Sequence, residues 1–388
     1  MRFSLFLLLL SLSSQAACPA WPLIIAHRGA SGDYPEHSEI AYWQAMLQGA
    51  DFIEADLVPT KDGVLISRHE NELSQSTNIA ELPQFANRKT SKKVDGVMVE
   101  GWFSEDFTLA ELRNVKLRES KPLIRPASRL HNDQYGILTL AEVMQLVQRF
   151  EQQHGRKVGL YLETKHPTYF LAEGRLQDGH QINRNISEQL LQQLSVWQQT
   201  QHNPVYIQSF ELSNLWWMRQ EGLKKYQVKA KLVQLIGDIS GTALYPKSNF
   251  AEPWDLVSRP ASMQALLHQQ QNFLGQAGFH YGALITPAGL TFLSQYADGI
   301  GPWKEQWFSQ NLALVTAQQL KSYGLQLHPY TFRAEPEFLP EGVATLKDEL
   351  QQRYQQGVDG VFTDFTDIAV KTRSETCTVK SMPKQDPD

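Results

Sequence analysis

Four short apolar runs in this 388-residue sequence end in polar groups suited to binding cations, holding anions or moving protons. The first ends at His27-Arg28. The second carries Glu54 and Asp56, the third ends at His69, and the fourth carries Glu163 and Lys165. On a strand, residues i and i+2 face the same side, so Glu54 shares a face with Asp56, and Glu163 with Lys165. Like charges turned inward need compensation, and a hard divalent cation with oxygen ligands is the simplest form of it. Arg28 and Lys165 suit the oxygens of an anion. His27 and His69 suit proton transfer, because an imidazole titrates near neutral pH. Each feature alone has a plainer reading: a solvated acidic pair, an inward salt bridge, a satisfied structural histidine. Their recurrence at four strand ends favours the chemical reading. Together they fit cleavage of a phosphodiester, which needs its charge neutralised, an in-line nucleophile and a protonated leaving group.

Such residues work together only if the fold brings the strand ends to one place. The apolar runs alternate with longer helical patterns, which argues for an α/β fold with a parallel sheet. At this length a (β/α)8 TIM barrel fits, and its strand C-termini converge on one mouth. Nine strand candidates compete for eight places: 23–27, 52–57, 64–69, 158–165, 205–210, 231–236, 299–302, 325–331 and 358–363. The 299 segment is the weakest. Asp62-Gly63 is a tight-turn signal joining the second and third candidates. Thr108 with Glu111 and Thr139 with Glu142 form capping boxes that open helices, and Ser38 to Gln48 fits the helix after the first strand. Residues 71–136 are too long for an ordinary connection and read as an insertion after the third strand, covering the cleft. Gln208, Phe210, Trp303, His328 and Tyr330 stand at or beyond later strand ends and are candidates for lining it.

Composition narrows the partners. A net charge of −5 excludes a surface that neutralises many nucleic-acid phosphates. Arg2, an apolar run and the small residues before Cys18 make residues 1–17 a signal peptide, and no later run is long enough to span a bilayer. The barrel is expected over 18–370, with a polar tail at 371–388. The two cysteines, Cys18 and Cys377, flank the barrel, whose chain ends emerge at one face, so a disulfide is expected in an exported protein. Lipidation of Cys18 is the rival, although Gln15 fits a lipidation signal poorly.

The ordered set His27-Arg28-Gly29, Glu54-x-Asp56, His69 and Glu163-x-Lys165 resembles the glycerophosphodiester phosphodiesterase family. The resemblance runs from about residue 22 to 370 and takes in Gln208-Ser209-Phe210 and the closing 357–364 segment, which ends in Asp364. It is greatest to the exported bacterial branch, which acts on deacylated phospholipids. The resemblance implies that Glu54, Asp56 and Glu163 bind one divalent cation, Ca2+ in preference to Mg2+. His27 and His69 would be the acid–base pair. Arg28 and Lys165 would hold phosphate, with Gln208, Phe210 and Trp303 on the substrate. It also implies release of sn-glycerol 3-phosphate and an alcohol, through attack by the neighbouring glycerol hydroxyl and a cyclic phosphate. The protein would be periplasmic or secreted. One departure stands out: Glu70 follows His69 where many members have Asp.

Two rivals come from other classes. A phospholipase C- or sphingomyelinase D-like enzyme acting on intact lipid would use similar groups, with Trp102, Phe103 and Phe107 of the insertion meeting the membrane. A non-catalytic exported binder of glycerophosphodiesters would need the cations but has no use for two strand-end histidines.

Overall fold

In the computed structural model, residues 18–240, 250–276, 278–308 and 315–377 are described. The expected signal peptide and the tail beyond Cys377 lie outside them. Among the described residues eleven strands form: β1 (Leu23–Ala26), β2 (Phe52–Pro59), β3 (Leu65–Ser67), β4 (Thr90–Val94), β5 (Val97–Gly101), β6 (Gly159–Thr164), β7 (Val205–Ser209), β8 (Lys231–Ile236), β9 (Gly299–Pro302), β10 (Gln326–Leu327) and β11 (Gly360–Thr363). Eight pair in parallel in the order β10-β9-β8-β7-β6-β2-β1-β11. The sheet closes where Asp359 N–H donates to the Leu327 carbonyl (3.0 Å) and Phe332 N–H to that of Phe362 (2.8 Å). The result is the expected TIM barrel.

The barrel membership differs from the expectation at one place. β3 pairs antiparallel with β2, Leu57 opposite Ser67, and lies off the barrel. A parallel neighbour needs a crossover of about a dozen residues, which the short Asp62-Gly63 turn does not provide. The vacant barrel place belongs to β9, the segment that looked weakest. The insertion therefore follows the third strand in the chain but hangs from a hairpin between the second and third strands of the barrel.

Both capping boxes are present, at Thr108 and Thr139, and Ser38 caps the helix Glu39–Gln48. Within 71–136, β4 and β5 form a hairpin, and Trp102, Phe103 and Phe107 are buried. The aromatic groups proposed for membrane contact are thus part of the core. The last helix, Thr366–Thr376, runs past the expected boundary at 370, and Arg373 on it is buried against the Pro22 carbonyl and Asp51. Its next residue, Cys377, forms a disulfide with Cys18. A sulfur so bonded carries no lipid. No helix among the described residues is long and apolar enough to cross a membrane.

Candidate active site

The inner face of the barrel is read by alternation. Phe52, Tyr161 and Tyr206 belong to an apolar layer with Ile25, Val233 and Phe362. Two residues further along their strands stand Glu54, Glu163 and Gln208. The register sets Asp56 beside Glu163 and Glu163 beside Gln208. An aromatic floor thus underlies a polar tier at the C-terminal ends. Above it opens a cavity of about 540 Å3, lined by His27, Arg28, Glu54, His69, Glu163, Lys165, Gln208, Phe210 and Trp303.

Nine of the ten expected site residues therefore meet in one cleft. The tenth, Asp56, joins Glu54 and Glu163 in a buried cluster, with one carboxylate oxygen of each within 4.8 Å of the others. A cation with oxygen ligands at about 2.3–2.6 Å fits among donors so spaced. Burial, with Asp56 close by, pushes Glu54 well above the usual carboxylate range. Burial raises Glu163 to about 7 although Lys165 opposes it. Asp56 goes the other way: despite burial, Lys165 and the hydrogen bond to His37 hold it well below. The Oε1 of Gln208 is buried with no hydrogen-bond partner among the described residues. An oxygen-only donor set with a spare buried oxygen beside it is the chemistry a hard cation needs.

The local chain around Arg28 is built for this cluster. Arg28 adopts φ +60, which turns its N–H onto Glu54 Oε2 at 2.8 Å. Its guanidinium donates to Glu36 (2.9 Å) and stands 3.4 Å from Asp56. Gly29 follows at φ +86, where a Cβ would meet the Ala41 carbonyl carbon at 2.5 Å, so only glycine fits. Lys165 Nζ donates to Glu163 Oε1 (2.9 Å) and lies 5.8 Å from the centre of the Phe210 ring.

The two histidines have parallel settings. Asp364, one residue past β11, contacts His27 Nδ1 at 2.6 Å and is itself held by Arg125 and by Arg333 Nε (2.8 Å). Burial and Arg28 lower His27 to about 3, against the pull of Asp364. The ring is neutral at pH 7, with its proton on Nδ1 and a lone pair on Nε2. Glu70 Oε1 lies 2.8 Å from His69 Nδ1. The desolvating walls of the cleft, with Arg28 and Lys165, lower His69 to about 4.

Several groups at the site were not singled out in the sequence. Asp364 closes the 357–364 segment, and its signal is an acid just past the strand that pairs with β1. His37, fully buried, donates from Nε2 to Asp56 Oδ2 (3.0 Å), and its Nδ1 lies 2.7 Å from the Tyr42 hydroxyl. His328 is corrected in the other direction. It does not line the cleft but lies under it, 3.0 Å from the Tyr161 hydroxyl, whereas Tyr330 does line the cavity.

Residues 27–368 match the glycerophosphoryl diester phosphodiesterase family. The chain belongs to that family. Among similar proteins, a glycerophosphodiester phosphodiesterase of Arabidopsis thaliana is 29% identical over 359 residues, covering 89% of this chain and 84% of its own. One from Haemophilus influenzae is 28% identical, covering 90% and 89%. In fold, this glycerophosphoryl diester phosphodiesterase family member is similar to a crystal structure of a family protein from Silicibacter pomeroyi. The TM-score is 0.57 at 14% identity, covering 94% of this chain and 97% of that one. A phosphodiesterase from Oleispira antarctica, solved with the product sn-glycerol-3-phosphate, gives a TM-score of 0.50 at 17% identity, covering 90% and 96%.

Proposed function

We propose that this family member hydrolyses glycerophosphodiesters to sn-glycerol 3-phosphate and an alcohol, with one divalent cation and the histidine pair His27 and His69. The observation that carries the reading is the convergence on one cleft of three carboxylates, two cationic side chains and two imidazoles whose Nδ1 atoms each face a carboxylate. The product seen in the Oleispira antarctica enzyme has the same chemistry. Glu54, Asp56 and Glu163 would hold the cation. Three carboxylates with the Gln208 oxygen nearby favour Ca2+, because Mg2+ keeps more of its water and uses fewer protein carboxylates. When bound, the cation supplies charge neutralisation and Lewis acidity at phosphate oxygens.

The chain's own residues do the rest. Arg28 and Lys165 hold the phosphate oxygens in a water-poor cleft, where a charge contact is stronger than in bulk solvent. One histidine, neutral, takes the proton of the attacking hydroxyl at Nε2; the other, which takes up a proton as the phosphodiester anion binds beside it, gives that proton to the departing alkoxide. The roles reverse when water opens the cyclic phosphate. Phe210 and Trp303 form the wall against which the organic part of the substrate packs. Burial of Trp102, Phe103 and Phe107 weakens the intact-lipid reading. The disulfide supports export with residues 1–17 removed, since such bonds persist in oxidising compartments.

Mature protein incubated with glycerophosphocholine should release glycerol 3-phosphate, lose the activity in EDTA and regain it with Ca2+. Folded protein that releases nothing with Ca2+ or Mg2+ refutes the reading.

A further inference from the structure

The two histidine–carboxylate pairs differ in how they are held. His27 and Asp364 have side chains 11% and 2% exposed, and packing fixes them. His69 and Glu70 are 32% and 40% exposed, on the loop just past β3. Burial alone does not hold the second pair, and Glu70 has one methylene more to order than an aspartate would.

A tether reaches it from the insertion. β4 and β5 are joined by Asp95-Gly96, at φ +44 and +84, the two-residue turn that Asp-Gly favours. The turn is wedged against Trp254, whose ring fills the space a Cβ on Gly96 would need. Asp95 Oδ2 lies 2.6 Å from His166 Nδ1. His166 Nε2 in turn lies 3.5 Å from Glu70 Oε2, a charge contact that orients the carboxylate whose other oxygen faces His69. His166 adopts φ +50, rare for a residue with a side chain, so its backbone is held by its surroundings. Burial opposes a charge on its ring, but Asp95 and Glu70 raise it to about 10, leaving a cation between two carboxylates. The same logic appears at His27, where the cations holding the carboxylate are Arg125 and Arg333.

We propose that Asp95, acting through His166 and Glu70, is a positioning residue for His69, so that the hairpin of the insertion sets the orientation and tautomer of one of the two acid–base histidines. This rests on the acid–base reading of His69 given above. It assigns a role to the insertion beyond covering the cleft, and gives Glu70 a reason to be longer than aspartate: it spans from His69 to His166.

The test uses Asp95→Asn and His166→Asn in the full mature chain. Asparagine accepts positive φ, so the backbone is kept while Asp95→Asn removes the charge that holds the His166 ring and His166→Asn removes the ring itself. With glycerophosphocholine and Ca2+, each variant should lose at least about fivefold in kcat, a part of the 10²–10⁴ that a placed acid or base supplies, with KM within about twofold. The double variant should lose no more than the worse single, as expected of one connected unit. The 15N shifts of the His69 ring should move in both singles toward a mixture of tautomers. Met98→Ala, exposed on the same hairpin, should leave kcat and the His69 ring unchanged. Unchanged kcat with unmoved ring shifts in Asp95→Asn, losses confined to KM, or losses that multiply in the double would overturn the proposal. If His166→Asn fails to fold, Asp95→Asn alone decides by the same two readouts. If the unsubstituted protein turns over no glycerophosphodiester, the functional reading fails, and the His69 ring shifts still decide whether the tether exists.

Discussion

Asp364 Oδ1 lies 2.6 Å from His27 Nδ1, and the two residues stand 337 positions apart in the chain. They meet because β1 and β11 pair with Ala26 beside Thr363, and each is the first residue beyond its strand. Closure of the barrel is therefore what assembles this pair. The carboxylate fixes the ring and favours the tautomer with Nε2 free, the part an aspartate plays for the histidine of a serine-protease triad.

Replacing either member separates these contributions. His27→Ala should lower kcat by about 10²–10⁴. Asp364→Asn should retain the ring but hold it less well, with a kcat loss of about tenfold to a hundredfold by analogy with other orienting partners. Steady-state release of glycerol 3-phosphate measures both, with circular dichroism to show that the fold is kept.

The carboxylate cluster makes a separate prediction. Glu54→Gln, Asp56→Asn and Glu163→Gln each remove one charged oxygen from the proposed cation site, and each should weaken Ca2+ binding by at least about tenfold in calorimetric titration. Substitution at Glu305, which lines the cavity outside the cluster, should leave the affinity in place.

Much of this cluster was legible in the sequence. Glu54 with Asp56 and Glu163 with Lys165 obey the period of two, and the parallel register sets Asp56, Glu163 and Gln208 in one row. What was not legible depended on longer-range pairing. The run that ends at His69 reads as a barrel strand by pattern, and only the shortness of its turn sends it antiparallel. Asp95-Gly96 between Val94 and Val97 carries a local hairpin signal, but nothing local says that its tip meets His166. His328 was misplaced because β10 is only two residues long, Gln326–Leu327, so the alternation used elsewhere fails there.

His328 leads to a prediction about acid stability. It is fully buried against Tyr161 and Tyr206, and burial, helped by Lys231, lowers it to about 3. The unfolded chain takes up this proton near pH 6.5 and the folded one only near 3, so the folded state loses stability as pH falls through that window. The loss is about 1.4 kcal/mol per unit for such a group. Urea unfolding at pH 7, 5 and 4 should show a shallower decline in His328→Gln than in the unsubstituted protein.

The disulfide closes a sequence separation of 359 residues. Removing a native disulfide typically costs about 2–5 kcal/mol, and chain entropy alone gives about 6 kcal/mol for so long a loop. Cys18→Ser with Cys377→Ser should shift the urea midpoint down accordingly while leaving KM for glycerophosphocholine unchanged, because the bond lies at the barrel's far end from the cleft.

That bond has a further meaning in topological terms. From Cys18 to Cys377 the backbone and the sulfur bridge form a continuous covalent ring. A protease that cuts once inside it produces an opened loop and no separate fragments. The barrel's first and last strands, which together carry His27 and Asp364, remain on one molecule, and the pieces stay at the same effective concentration as before the cut.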